Sequence, residues 1–284
     1  MKSLVNKKIV IAYIGKNSVL AKSFVKKYSS KFDFRCYSGD INNFLKFKKW
    51  IKNNLDINIL INFAAITSIK KCQFNKKKAL TTNYLSPVKI IKLINSSHLK
   101  EFNYFLTIST SHIFKKSFKK LNEKSIKKPN NYYGITKLKL ENYIINNRKK
   151  IRFKMGVARI FNYYNNSIKK NGFFVNDMIA KLKHKDKIIK INNVKTYRDF
   201  ISMNDINKAL FKMIKNKLNS DYNICSGNKI YLPTVISTLN KHLKNKKIFF
   251  LGKILPGLIG SNLKLKKLGW KNNTNYNLIN EILK

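Results

Sequence analysis

The chain has 284 residues, enough to bury a substantial core without disulfides or metal ions, as one large domain or two closely joined ones. Its 60 Lys and Arg residues outnumber its 12 Asp and Glu, but they are spread along the whole chain among Asn and Ile. This spread favours a compositional bias over a nucleic-acid surface, although the charge would attract any polyanionic ligand. Three scattered cysteines predict neither a disulfide framework nor a metal site and favour a reducing cytoplasm. The apolar runs near the amino terminus and around 249–259 are too short to span a membrane.

Apolar runs of strand length alternate with helical patterns over the first 160 residues. Strands are predicted over 8–14, 32–37, 57–63, 104–108 and 154–160, and helices from about 19, over 43–54, 79–97 and 132–147. Because this alternation builds parallel sheets, we predict an α/β fold with a Rossmann-type doubly wound parallel sheet. The alternation weakens after Asn162, so we expect one domain over 1–161 and a smaller part over 162–284, some segments of which pack back on the sheet.

The turn after the first predicted strand reads Gly15-Lys16-Asn17-Ser18-Val19-Leu20-Ala21. In a doubly wound sheet this turn surrounds a dinucleotide pyrophosphate with the backbone N–H groups of the helix start. Ser18 and Ala21 stand where the usual motif has its second and third glycines, so the match is weak. The alternative is a plain turn between a strand and a helix.

A tyrosine and a lysine four residues apart, Tyr133 and Lys137, share one face of the predicted helix over 132–147. A free tyrosine titrates near pH 10, so it exchanges protons at neutral pH only if a nearby positive charge stabilises its phenolate. Lys137 would supply that charge. In a lysine-rich chain the same spacing also arises by accident, as an ordinary exposed helix turn.

The order of these motifs resembles the extended short-chain dehydrogenase/reductase family, whose members reduce, epimerise or dehydrate nucleotide sugars. The resemblance covers nearly the full length and makes 1–161 the dinucleotide-binding domain and 162–284 the substrate-binding part. It implies NAD or NADP as the cofactor, with Asp40 at the adenine ring. The residues it assigns to the cofactor are Gly15, Asn17, Ser18, Val19, Leu20, Asp40, Ala64, Ala65, Asn83, Tyr133 and Lys137.

The same resemblance implies hydride transfer between a nicotinamide ring and a sugar carbon. Tyr133 would exchange the proton of the sugar oxygen, Thr110 would hydrogen-bond that oxygen, and Lys137 would hold the nicotinamide ribose and lower the pKa of Tyr133. Family members that eliminate water carry an acidic pair directly after the catalytic Thr. Ser111 and His112 stand there, which disfavours a 4,6-dehydratase. His112 is either an extra acid in the sugar pocket or a packed residue.

Two further segments resemble the family's substrate-binding signatures. Asn162 is implied to face the nucleotide-sugar phosphates and Arg198 to bind the diphosphate, for which a guanidinium fork is suited. The alternative for Arg198 is a surface ion pair with Asp199. The stretches 172–174, 198–200 and 222–227 look most like those of 4-keto-6-deoxy-sugar reductases, including the GDP-linked kind.

We therefore predict a cytoplasmic reductase of a 4-keto-6-deoxyhexose nucleotide, with a nucleotide-sugar 4-epimerase as the alternative within the family. The alternative of another class is an RNA-binding protein that keeps the fold without turnover. Arg35 lies inside the second strand and no charge stands at 37–39, which only slightly favours NADP over NAD. By family analogy we expect a homodimer formed through the helices 79–97 and 132–147, and we expect neither a metal, a membrane nor a nucleic acid as a partner.

Overall fold

A computed structural model describes residues 8–164, 174–243, 245–273 and 277–283. The strands are β1 (Val10–Ile14), β2 (Asp33–Tyr37), β3 (Ile59–Asn62), β4 (Tyr104–Thr110), β5 (Lys154–Ile160), β6 (Asn162–Tyr163), β7 (Ile188–Asn192), β8 (Thr196–Arg198), β9 (Phe200–Ile201), β10 (Asp221–Ile224), β11 (Ile230–Tyr231), β12 (Lys247–Leu251) and β13 (Leu255–Leu258). The helices are α1 (Val19–Tyr28), α2 (Phe44–Lys52), α3 (Ile69–Phe74), α4 (Lys76–Leu80), α5 (Ser86–Asn95), α6 (Tyr132–Asn147), α7 (Phe174–Lys183), α8 (Met203–Lys215), α9 (Leu232–Leu243), α10 (Leu263–Lys266) and α11 (Leu278–Leu283). None of the helices in these ranges is long and apolar enough to cross a membrane.

The described chain forms two compact units, each assembled from several stretches. Unit 1 comprises Met1–Ile113, Pro129–Arg159 and Leu210–Tyr222 within the described residues, and unit 2 comprises Phe114–Lys128, Ile160–Ala209 and Asn223–Lys284. The predicted boundary at 161 remains a prediction.

A six-stranded parallel sheet in the order β10-β5-β4-β3-β1-β2 is the centre of unit 1. Its inner strands are continuous apolar runs because both faces of a parallel sheet are covered: Ile11, Leu60 and Phe105 are all essentially inaccessible. The register pairs Ile14 with Asn62, so β1 and β3 end side by side. The predicted Rossmann-type doubly wound parallel sheet is confirmed.

The helix predicted over 79–97 is present as α4, a π-helical turn over Thr81–Leu85, and α5. The Ser86 N–H bonds to the Thr81 carbonyl five residues back. Pro87 fits this widened turn, because it lacks the N–H that would bond the Asn83 carbonyl in an α-helix. Thr81, Thr82 and Asn83 are in addition weak helix formers.

Unit 2 contains small sheets rather than one large one. Its three-stranded sheet has the order β11-β8-β13, and two strand pairs, β12-β7 and β6-β9, stand beside it among the described residues. A separate apolar core lies under α7 and α9, with Leu182, Ile191 and Ile236 among its buried members. This unit therefore has its own hydrophobic support.

Candidate active site

The turn after β1 leaves no room for a side chain at its first position. Gly15 has φ +95°, and a Cβ there would lie 2.7 Å from the backbone nitrogen of Ala64. The Ser18 N–H closes the turn on the Gly15 carbonyl at 2.9 Å, and α1 begins at Val19 with no acidic residue in its first turn. The first backbone N–H groups of a helix have no intrahelical acceptor, and the helix dipole is positive there. The turn can therefore hold an anion such as a pyrophosphate, next to Val19 and Leu20.

Asp40 and Asn17 are exposed near the ends of β2 and β1. The Asp40 carboxylate accepts the Asn42 N–H at 2.9 Å, and the Asn42 side chain donates to Thr82 Oγ1 at 3.0 Å and accepts from Ser86 Oγ at 2.9 Å. The loop that carries Asp40 is thus anchored to the π-helical segment. The Arg35 guanidinium takes no part in this anchoring, because it pairs with Asp56 at 2.8 Å and with Asp33 at 3.3 Å.

The end of β3 presents Asn62, Ala64 and Ala65. The Asn62 Oδ1 accepts the Ala64 N–H at 3.1 Å, whereas the buried Asn62 Nδ2 has no hydrogen-bond partner among the described residues. Buried amide donors are rarely left unpaired in native proteins, so this atom fits a bound group that offers an acceptor. Together with the glycine turn, it makes the sheet edge a suitable place for a dinucleotide.

Asn83 lies in the π-helical turn and connects three elements. Its Oδ1 accepts the Ile66 N–H at 2.8 Å, and its Nδ2 donates at 3.0 Å both to the Ile66 carbonyl and to Thr136 Oγ1. Thr136 in turn donates to the Tyr133 carbonyl at 2.8 Å. Asn83 therefore fixes the loop after β3 against α6, one turn from the tyrosine, and its direct contact with a cofactor remains a prediction.

The packing of α6 on the turn that follows β4 places Tyr133 beside His112, two residues after Thr110. Thr110 is buried at the strand end, and its Oγ1 accepts the His112 N–H at 3.3 Å. A Cβ on Gly134 would collide with the His112 carbonyl oxygen, so only glycine permits this approach of the helix. The Tyr133 ring lies edge-on to the His112 ring, with centroids 6.0 Å apart.

Asn131 caps α6 and also holds His112. Its Oδ1 accepts the Gly134 N–H at 2.9 Å, which leaves Nδ2 as the amide nitrogen 3.3 Å from His112 Nδ1. An amide NH2 donates only, so this contact favours a neutral His112 with Nδ1 unprotonated. His112 is therefore a positioned ring beside Tyr133, and no sequence pattern identified the partner that orients it.

Lys137 is almost completely buried one helical turn after Tyr133, with 3% of its surface exposed. Burial lowers its pKa to about 8, while the charge of Glu141 and the thiol of Cys72 act in the opposite direction. A lysine with this pKa is largely charged at neutral pH and titrates just above it.

Glu141 belongs to a buried charge network that the sequence analysis did not identify. Its carboxylate receives two hydrogen bonds from Arg159 Nε and one at 2.8 Å from Arg159 Nη2, and Ser109 Oγ donates to it. Arg159 Nη2 also lies 2.7 Å from Asp221 Oδ2. Glu141 and Arg159 are inaccessible to solvent. The spacing of Tyr133, Lys137 and Glu141 at intervals of four was the available signal, since it places all three on one helix face.

In unit 2, Asn162 and Asp199 organise the backbone. The Asn162 side chain donates to the Asp199 carbonyl at 3.0 Å. The buried Asp199 carboxylate accepts from Ser226 through both its N–H and its hydroxyl, and from the N–H groups of Gly227 and Gly260. Burial raises the pKa of Asp199, and these hydrogen bonds counteract the rise. Asp199 therefore does not form the surface ion pair with Arg198 that was the alternative.

Arg198 is half-buried at the end of β8. Its Nη1 is buried without a hydrogen-bond partner in the described part of the chain, and burial lowers the pKa of its guanidinium. Residues 172 and 173 of the stretch compared with keto-sugar reductases lie outside the described residues. The predicted site residues thus fall into two groups, with Arg198 and Asn162 in unit 2 and all the others in unit 1.

Known proteins resemble this chain in both sequence and fold. The GDP-6-deoxy-D-talose 4-dehydrogenase of Aggregatibacter actinomycetemcomitans is 32% identical over 168 residues, which are 56% of this chain and 56% of that enzyme, so the match spans about half of the relative. The structure of RMD from Pseudomonas aeruginosa complexed with NADPH has a TM-score of 0.80 at 17% identity, over 96% of this chain and 97% of the other. The UDP-glucose 4-epimerase of Thermus thermophilus, complexed with NAD, has a TM-score of 0.77 at 12% identity, over 94% and 95%.

The model of the GDP-mannose 4,6-dehydratase family matches residues 3–253, which is most of the chain. The neighbours are dehydrogenases and epimerases as well, so the match identifies a family and not one reaction. The predicted family resemblance is confirmed. The protein belongs to the GDP-mannose 4,6-dehydratase family, within the extended short-chain dehydrogenase/reductases that act on nucleotide sugars.

Proposed function

We propose that this chain is an NAD(P)-dependent reductase that converts a nucleotide-linked 4-keto-6-deoxyhexose into the 4-hydroxy sugar. The observation that carries the proposal is the packing of Tyr133 against the turn after Thr110, with Lys137 buried one helical turn later; in this turn Ser111 and His112 replace the acidic pair of the dehydratases. Neither side chain has the carboxyl group that serves as acid and base for elimination of water in those relatives. The site keeps the proton donor that ketone reduction needs.

Each residue of this site has one task in the proposed reaction. A reduced nicotinamide bound at this site would supply the hydride that the sugar C4 gains. Tyr133 donates its phenolic proton to the C4 oxygen, so that the ketone gains both atoms and becomes an alcohol. Thr110 hydrogen-bonds the same oxygen and orients it. Lys137 holds the ribose and favours the phenolate left on Tyr133.

The turn after β1 holds the cofactor pyrophosphate through Gly15, Ser18, Val19 and Leu20. Asn17 lies at the same turn, Asp40 contacts the adenine, and Ala64 and Ala65 allow the cofactor to lie against the end of β3. NADPH is the cofactor we favour by a small margin, since RMD is a neighbour complexed with NADPH. Arg35 takes no part in this choice, because Asp56 and Asp33 hold it within β2.

Arg198 binds the diphosphate of the substrate, and Asn162 faces it from β6. The unpartnered Arg198 Nη1 supports this role, because a diphosphate would supply the acceptor that the described chain lacks. The relative that acts as a GDP-6-deoxy-D-talose 4-dehydrogenase oxidises the same sugar position, and the reverse of that reaction is 4-keto reduction. GDP-linked sugars are therefore the first substrates to test.

The second candidate is a 4-epimerase, and the epimerase among the structural neighbours favours it. An epimerase oxidises and re-reduces the same carbon, so it needs the same tyrosine and lysine. The two functions differ in outcome, because an epimerase returns its cofactor unchanged and a reductase consumes it.

We also propose a homodimer formed through α4, α5 and α6. Leu85, on the turn between α4 and α5, is 40% exposed although it is large and apolar. Ile135 and Leu138 on α6 are also only partly covered. Light scattering on the purified protein tests this, and a monomeric mass at micromolar concentration would reject it.

The test of the reductase is a titration with NADH and NADPH, followed by absorbance of the reduced nicotinamide on adding GDP- and dTDP-4-keto-6-deoxyhexoses. Stoichiometric loss of absorbance would support the reductase and identify its cofactor and nucleotide. Tight cofactor binding without any loss, together with epimerisation of a nucleotide hexose, would favour the epimerase. A protein that binds neither cofactor would contradict both and favour the RNA-binding alternative.

A further inference from the structure

We propose that Lys116 is a second cation of the substrate diphosphate site and acts together with Arg198. This inference rests on the proposed function and assigns one more residue to the recognition of a nucleoside diphosphate. Both residues belong to unit 2.

The strand register places Lys116 and Arg198 on one face. Ser117 and Gly257 form an antiparallel bridge, with hydrogen bonds of 2.9 and 3.0 Å in the two directions, so the residue before Ser117 stands opposite Leu258. Leu258 is in turn the parallel partner of Arg198. Directly opposed residues project to the same side of a sheet, so Lys116, Leu258 and Arg198 form a row across three neighbouring chain segments.

The distance across this row suits a ligand with two phosphates. Neighbouring strands in a sheet are about 4.8 Å apart, so the two cationic residues have backbones about 10 Å apart. Their side chains are long enough to converge on one diphosphate from both sides, over the buried Leu258 between them. A monophosphate would be contacted mainly by one of the two cationic side chains.

The electrostatic environment of Lys116 and Arg198 favours a bound anion. Within the described residues, no carboxylate lies within ion-pair distance of Lys116 or Arg198, and Asp199 is occupied by Ser226, Gly227 and Gly260. Burial and the positive charge of Arg198 both lower the pKa of Lys116. Two half-buried cations that repel each other are stabilised by a dianion, and the diphosphate of a nucleotide sugar has that charge.

Lys115 provides a matched control for the test. It precedes Lys116 directly and carries the same charge, but it is exposed, whereas Lys116 is half-buried. We would compare Lys116→Gln, Lys116→Arg and Lys115→Gln with the wild-type protein, measuring the Kd of GDP, UDP and GMP by calorimetry at two salt concentrations. The KM of NADPH and of the keto-sugar nucleotide would be measured in parallel.

Lys116→Gln should raise the Kd of the nucleoside diphosphate that the wild type prefers about tenfold, which is typical for the loss of one hydrogen bond between charged groups. The Kd should also depend less on salt concentration than that of the wild type, because one screened ion pair with the diphosphate is removed. GMP should be less affected, Lys116→Arg should restore binding, and Lys115→Gln should leave the Kd and the KM of NADPH unchanged.

Several results would overturn the inference. If Lys116→Gln and Lys115→Gln had equal Kd values while Arg198→Met bound the nucleoside diphosphate more weakly, Arg198 would belong to the site and Lys116 would not. If the Arg198→Met protein also bound with an unchanged Kd, or if the wild type bound neither GDP nor UDP, the proposed diphosphate site would be contradicted as a whole. Failure of the proposed reductase is a separate result, since the wild type would then bind GDP or UDP tightly without oxidising NADPH.

Discussion

Arg159 in unit 1 and Arg198 in unit 2 are in opposite situations. Arg159 is inaccessible and lies between Glu141 and Asp221, with its Nη2 2.8 and 2.7 Å from their carboxylate oxygens. Arg198 is half-buried, and its Nη1 has no acceptor in the described part of the chain. A buried charge that is fully paired contributes to the framework, whereas one left unpaired is costly unless a ligand completes it. Arg159 therefore belongs to the framework of unit 1, whereas the contrast supports the proposal that Arg198 binds substrate.

The contrast extends to the kinetic constants that each unit should control. In unit 1, Asn83, Thr136, Gly134 and Asn131 fix the position of Tyr133 before any substrate arrives. In unit 2, the proposed anion site contains Arg198, whose Nη1 has no acceptor among the described residues. Substitutions of the catalytic pair should therefore act mainly on kcat, and substitutions of the anion site mainly on KM.

The largest effect is expected for Tyr133→Phe. The phenyl ring keeps the packing against His112 but lacks the proton that the C4 oxygen receives, so kcat should fall by about 10³-fold. NADPH affinity should be nearly unchanged, as measured by fluorescence titration. Tyr132→Phe, at the neighbouring position, is the control and should keep full turnover. Residual turnover near the wild-type value would remove Tyr133 from the proton-transfer role.

The next largest effect is expected on stability, for Arg159→Met. Removal of this guanidinium leaves Glu141 charged and buried, which should lower the free energy of unfolding by about 3 to 5 kcal/mol. Arg35→Met breaks a half-exposed ion pair with Asp56 and should cost less than about 1 kcal/mol. Urea denaturation of both variants measures the difference. Similar losses for the two would contradict the framework role of Arg159.

Arg198→Met should weaken substrate binding without lowering the stability of the protein. The substitution removes an incompletely paired, half-buried charge, so the free energy of unfolding should be equal to or higher than that of the wild type. The KM for the nucleotide sugar should rise about 30-fold, because a charge-assisted contact to the diphosphate is lost. A destabilised protein with an unchanged KM would place Arg198 in the framework together with Arg159.

The smallest effect is expected from pH. The pKa of Lys137 is about 8 in the folded chain against an ordinary value of 10.5, so the folded protein binds fewer protons than the unfolded one between these values. Its burial therefore costs stability below pH 8, and the cost is relieved as the pH rises toward 10.5. The kcat/KM for NADPH should fall in the alkaline direction with a midpoint near pH 8, as the charge that holds the ribose is lost. A profile that is flat across this midpoint would contradict the role.

Local sequence patterns predicted the inner strands of the sheet well, but they could not predict pairings between residues that are distant in sequence. The predicted strand 57–63 contains β3 because a strand covered on both faces is a continuous apolar run. The helix over 79–97 was predicted without its π-helical turn, because apolar periodicity does not reveal the effect of the N–H that Pro87 lacks. The ion pairs of Arg159 were not predicted, since its partners Glu141 and Asp221 are far away in sequence. Lys116 was missed because its position depends on the bridge between Ser117 and Gly257.

The most direct test of the proposed reduction follows a label from the cofactor to the sugar. The wild-type protein would be incubated with a GDP-4-keto-6-deoxyhexose and NADPH that carries two deuterium atoms at the nicotinamide C4, and the product would be analysed by NMR and mass spectrometry. We predict one deuterium per product molecule, located at C4 of the sugar, and one NADPH oxidised per turnover. A nucleotide sugar that is epimerised at C4 without deuterium and without net oxidation of NADPH would contradict the reduction.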